Sequence, residues 1–336
     1  IVFGDWSSDV CSSDLGDGTL LADLRSEATR ASFSLAGRVE RPGRPDADWD
    51  LRAEARAVAV DSVLEKALLG ARDPHIGEVW RTFRPGAGRV DARIGLKSPA
   101  SGGPPEVAVD LDLDSVAATY LGTAGAEGRR PGFTFPYPFE GISGGLLIRP
   151  GGNVTIPGLA CRAGEGTVRV SGRLRVLPGR GSSSLRFEAR EVPFDGRLRE
   201  AVAAALPDGA RIWDDYAPEG TFDARVLVER AEGEEAARVT TEIRPREASA
   251  SYRLCPYRLD RLTGAVLIAP AGVSFDLQAG SGAPLVEVHG RFPFLEGGHR
   301  EHMELTLAAS ALPVDRKLRD ALEVLDPVLG ELWDAF

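Results

Sequence analysis

The chain repeats itself, and a repeat restricts a fold more tightly than composition does. Gly172 opens "GRLRVLPGRGSSSLRFEAREVPFDGRLREAVAAAL", and Gly290 opens "GRFPFLEGGHREHMELTLAASALPVDRKLRDALEVL". Both pass from Gly-Arg through a loop and an alternating run to Pro-apolar-Asp and a leucine-rich segment. A third version, "GRVERPGRPDADWDLRAEARAVAVDSVLEKALL", starts at Gly37. Asp61, Asp195 and Asp315 open the leucine-rich segments, and a tryptophan follows each by 18 or 19 residues: Trp80, Trp213 and Trp333. "RPGAGRVDARI" from Arg84 returns as "APEGTFDARVL" from Ala217, and "FPYPFEGISGGLLI" from Phe135 returns 120 residues later as "CPYRLDRLTGAVLI" from Cys255. The unit is about 120 residues, and an insertion around "GTAGAEGRRPG" lengthens the first interval. Units of this kind bury their faces against neighbouring units.

Within a unit the period is two. Val168, Val170, Leu174 and Val176 alternate with Arg169, Ser171, Arg173 and Arg175, while Val273, Phe275 and Leu277 alternate with Ser274, Asp276 and Gln278. Phe222, Ala224, Val226 and Val228 follow the same rhythm. Strict alternation predicts antiparallel strands with one apolar and one wet face. Clusters such as "RPGGN" and "PGRGSSS" predict the hairpin turns between them. The Asp opening each leucine-rich segment predicts a capped helix, with Leu198 and Val202, or Leu318 and Leu322, on one face. The expected fold is therefore mostly β: an extended antiparallel sheet curled into a groove, or an open sandwich. Each unit supplies about five or six strands and one short helix, and each Trp is expected to seat its helix on the sheet. The alternation leaves open whether the apolar face lines a trough or meets facing strands.

Residues 5–15, "DWSSDVCSSDL", resemble one-frame translation of a sequencing-library adapter at all eleven positions. Residues 1–15 are accordingly expected to be a non-native leader that packs poorly on a fold starting near Gly16. The remaining chain divides into units at 16–105, 106–238 and 239–336, the outer two expected to be truncated pieces of a longer repeat protein. Without Asp5, Asp9 and Asp14 the formal charge of −10 becomes about −7, and Cys161 and Cys255 are the remaining cysteines. Neither lies in a CxxC or beside a histidine, which argues against zinc or redox chemistry. Three lysines (Lys66, Lys97, Lys317) stand among 40 basic residues, and the arginines are interleaved with Asp and Glu rather than gathered into a basic stripe. That pattern excludes nucleic acid as a partner.

Spelled-out catalytic motifs fail on context. "GISGG" at 141–145 matches the Gly-x-Ser-x-Gly elbow, but a β-run follows Ser143 where the elbow needs a helix, and the sister unit has Thr263. His299 and His302, with Glu301 or Glu304, lack a third well-placed ligand. "DLDLD" at 110–114 puts three carboxylates on one strand face, which reads as a solvated face before a calcium site. "GEGTVRVSG" reads as a turn before a strand. No catalytic residue, metal or cofactor is expected.

The stretches "VRVSGRLRV", "LRFEAREVPFDGRLREAV" and "PEGTFDARV" resemble the AsmA-like group of bridge-like lipid-transfer proteins, and the likeness in style covers nearly all of the chain after residue 15. The resemblance implies a repeating β-groove in the periplasm of a bacterial envelope, anchored in the inner membrane by segments outside these residues. It implies phospholipid acyl chains and neighbouring repeats as partners, and a non-enzymatic role in lipid transfer or outer-membrane biogenesis. The groove lining it implies is Val168, Val170, Leu174, Val176, Val226, Val228, Phe275, Leu277, Leu305 and Leu307. The alternative from another class is a structural or adhesive sandwich array with a closed core.

Overall fold

The structure is a computed structural model that describes residues 6–11, 18–26, 30–40, 48–69, 74–98, 106–121, 134–175, 181–206, 208–234, 236–280, 285–293, 304–313 and 315–334. Strands β1 (Trp6–Cys11), β2 (Gly18–Ser26), β3 (Ser32–Glu40) and β4 (Asp48–Ala59) lead to helices α1 (Ser62–Leu69) and α2 (Pro74–Phe83). Six strands follow: β5 (Arg89–Lys97), β6 (Glu106–Tyr120), β7 (Phe135–Arg149), β8 (Asn153–Ala163), β9 (Gly166–Arg175) and β10 (Ser182–Pro193). A second helix pair, α3 (Gly196–Ala205) and α4 (Gly209–Tyr216), precedes six more strands. These are β11 (Glu219–Arg230), β12 (Arg238–Tyr252), β13 (Cys255–Ala269), β14 (Gly272–Ala279), β15 (Leu285–Pro293) and β16 (Glu304–Ser310), followed by α5 (Arg316–Leu325) and α6 (Pro327–Asp334).

All sixteen strands form one antiparallel sheet in chain order, with β1 and β16 at its two edges, so the sheet is curled but not closed into a barrel. At about 4.8 Å per strand the sheet is roughly 70 Å wide. The substantial strand-to-strand contacts among the described residues all join consecutive strands. The block between helix pairs is six strands, and the unit boundaries chosen from the sequence fall beside Glu106 and Arg238, the first residues of β6 and β12. Both cuts lie one strand after a helix pair.

Two expectations are corrected. Each unit carries two short helices where one was expected. The second begins at a proline or glycine, Pro74, Gly209 or Pro327, which looks like a loop signal but sits at the first helical turn, where proline's missing N–H costs nothing. The first helices start as predicted: Asp61 accepts from Val63 N and Leu64 N, Asp195 from Leu198 N at 2.9 Å, and Asp315 from Leu318 N at 3.0 Å. The second correction concerns the leader. Trp6–Cys11 is not apart from the fold but pairs in register with β2, from Trp6 opposite Ser26 to Cys11 opposite Leu21. An open sheet edge offers a row of backbone donors and acceptors, and any extended segment nearby satisfies them whatever its origin.

The core sits at one end of the strands. There α3 lies back across the sheet to β7 while α4 reaches forward to β12. Leu198 and Ala201 of α3 are buried there against Tyr137, Ala163, Val168, Val192 and Phe222 of the sheet, with Ala201 0% exposed. Phe194 lies tilted against Phe222 and meets Trp213 edge-on, with ring centroids 4.7 and 6.0 Å away. Phe194 also packs on a second cluster of Ala248, Leu262, Ala279 and Val286, and so joins successive units.

Candidate functional site

The register assembles the apolar face strand by strand. Across eight consecutive strands from β8 to β15, Leu159, Val170, Phe187, Val226, Thr241, Ile268, Val273 and Phe292 are successive cross-strand partners. Seven of the eight are apolar, and every one is half-buried, with none enclosed. The next row toward the helices runs Cys161, Val168, Ala189, Ala224, Ile243, Val266, Phe275 and Gly290 to the position of Leu305. The register therefore brings Val168, Val170, Leu174, Val226, Val228, Phe275, Leu277 and Leu307 to one face; Leu305 is placed by backbone register alone, opposite Gly290, and Val176 lies outside the described residues.

Burial grades along this face. Val168, at the helix end, is 7% exposed, whereas Trp49, Ile94, Val107 and Val239, on the same face toward the opposite strand ends, are 37 to 43% exposed. The helix pairs cover one end of the strands and leave the rest of the apolar face open, because helices of 8 to 10 residues are only about 12 to 15 Å long.

The opposite face is charged and paired. Arg169, Glu188, Arg225 and Glu242 face one another on successive strands, alternating in sign across the sheet. A broad hollow of about 1220 Å³ opens on this face where β10 to β13 bend at their bulges. It is lined by four arginines and six carboxylates, and two of its arginines are held by carboxylates: Arg246 to Asp223 and Arg244 to Glu242, both at 2.6 Å. The hollow thus offers an incoming ion mixed charge already engaged in part. Nearby, Arg258 donates to Glu219 and Asp260 at 2.7 Å and to Ser249 at 2.6 Å, stitching β11 to β13. Those hydrogen bonds hold the Glu219 carboxyl below its usual range and push the Arg258 guanidinium up.

The motif residues have structural work. Ser143 lies within β7, and its Oγ accepts from Ser115 N at 3.1 Å, where β6 bulges with a φ of 56°. Asp110 pairs with Arg149, and among the described residues no cluster of three or more His, Cys, Asp or Glu side chains is arranged to hold a metal. Glu301, His299 and His302 lie outside the described residues.

Two repeated devices went unread in the sequence. In the first, Asp91 and Asp223, from the recurring Asp-Ala-Arg, accept the backbone N–H of bulge residues Ala57 and Glu191 at 2.7 and 3.0 Å. In the second, an aromatic at the C-terminus of α2 and of α4 meets a tyrosine at a strand end: Phe83 with Tyr120 at 5.5 Å and Tyr216 with Tyr252 at 5.1 Å. Backbone bonds accompany both clasps, Leu121 N to Thr82 O and Arg253 N to Asp215 O, each 2.8 Å. The signal was the recurrence itself, at 132 residues for both Asp91 to Asp223 and Tyr120 to Tyr252.

Among the described residues no helix is long and apolar enough to cross a membrane. No protein-family model matches this chain, and neither a curated protein nor a solved structure matches it.

Proposed function

We propose that this chain is a non-enzymatic segment that holds phospholipid acyl chains on its apolar face, for lipid transfer or outer-membrane biogenesis in a bacterial envelope. The observation that carries the reading is the half-buried row from Leu159 to Phe292, eight strands wide with a single polar member. Water against such a row is costly, and each acyl CH₂ moved onto it gains about 0.8 kcal/mol when fully buried. A saturated chain needs no polar partner, so a surface without convergent donors suits a cargo held by area alone. The role in the periplasm, with an inner-membrane anchor outside these residues, rests on the AsmA-like resemblance. What favours this reading over a closed-core spacer is that, among the described residues, the layer over the apolar face is a helix pair at one strand end.

The test is lipid extraction and mass spectrometry of the purified chain, followed by transfer of fluorescent phospholipid from vesicles to the protein. Co-purified phospholipid and saturable uptake are expected. Replacing Phe187 and Val226 by Asp should remove both while leaving the β-rich circular dichroism unchanged. A lipid-free preparation that takes up no phospholipid would overturn the proposal.

A further inference from the structure

Three strands run into helix pairs, and each has a left-handed residue four positions before the capping Asp: Ala57 (φ 53°), Glu191 (φ 54°) and Ala311 (φ 52°). At the first two, the strand that follows the helix pair docks alongside through two matched bonds. Its Asp takes the N–H of the left-handed residue, Ala57 to Asp91 and Glu191 to Asp223. The glycine three positions before that Asp takes the N–H three residues further on, Val60 N to Gly88 O at 3.0 Å and Phe194 N to Gly220 O at 2.9 Å. Both glycines have positive φ, 115° and 91°, and a side chain there would strike the backbone of the next strand, at Val116 or Glu247.

In the third instance the backbone conformation recurs, and among the described residues no strand occupies the docking place. Ala311 has the same backbone conformation and is exposed, and among the described residues its N–H has no acceptor and no strand pairs with the far edge of β16. A side-chain observation agrees. Leu307 corresponds, at the 120-residue offset, to Phe187, which lies opposite Val226 of the docked strand. Leu307 is 63% exposed, far more than the half-buried Phe187.

We propose that the far edge of β16 is a receptor site for one extended peptide strand of the Gly-x-x-Asp-Ala-Arg type. It adds antiparallel, with its Asp on the Ala311 N–H and its following apolar residues over Leu307. Main-chain bonds supply the affinity and the Asp sets the register. The inference stands apart from the lipid reading, because it uses the sheet edge rather than its face.

The test uses the full chain and a fluorescein-labelled peptide with the sequence of residues 217–230, followed by anisotropy. Saturable binding is expected, with an affinity loss of about tenfold for the peptide carrying Ala in place of its Asp. The protein variant Leu307→Asp, at an exposed edge position, should weaken binding of the unaltered peptide. Absence of saturable binding up to about 1 mM peptide, equal binding of the two peptides, or indifference to Leu307→Asp would each overturn the proposal.

Discussion

Asp223 joins three strands through one carboxylate. It accepts from Glu191 N on β10 at 3.0 Å and from Arg246 Nε on β12 at 2.6 Å, while sitting on β11 between them. Replacing it with Ala leaves the bulge donor without its acceptor and should cost about 1 to 2 kcal/mol in urea unfolding, whereas Asn keeps an acceptor and should recover part of that. Ser143→Ala removes the acceptor for the Ser115 bulge and should cost about 1 kcal/mol by the same measurement. Cys161 carries a pH dependence. Burial pushes its thiol up from 9.0 to about 11, so the folded state holds its proton at pH values where the unfolded thiol ionises. Its contribution to stability is complete below pH 9 and is lost as pH rises toward 11. Between about pH 8 and 10.5 the wild type should lose more stability in urea than Cys161→Ala, and equal losses would refute the burial assigned to this thiol.

At the scale of elements, the helix pair closes one end of the strands. Leu198 and Ala201 press α3 onto the sheet, Trp213 meets Phe194, and Arg199 clips α3 to α4 through both oxygens of Asp214 at 2.9 and 3.0 Å. Arg199 and Asp214 are exposed, so the clip adds little beyond orientation. Trp213 carries more apolar area, and Trp213→Ala should destabilise the chain by about 2 to 3 kcal/mol and loosen α4. Hydrogen exchange of Trp213–Tyr216 amides against those of α3 would check that loosening. The first helix of each pair was legible because its Asp cap and leucines declare it. The second was not, because eight to ten residues opening on Pro or Gly have too short a period to register, and for α4 packing on β12 supplies what propensity does not.

Across the whole molecule, each strand leans on its two neighbours, so stability is shared locally as in other repeat arrays. Hydrogen exchange should be slowest in β7 to β13, under α3 and α4 and the clusters around Phe194, and fastest at the edge strands β1 and β16. Uniform protection from edge to edge would contradict this gradient. The alternation of Val168 to Leu174 and of Val273 to Leu277 determined, from sequence alone, that these segments are strands with one apolar face, and the wet opposite face and short turns made them antiparallel, since parallel sheets are covered on both faces. The recurrence determined the unit, because equal patterns at equal spacing fold alike. Only the tertiary structure decided that all units join in a single open sheet, that Trp6–Cys11 lengthens its edge, and that the apolar face is capped at one end and open elsewhere. Those outcomes depend on which surfaces meet across a hundred residues or more, and side-chain periodicity carries no information about the partner a face will find.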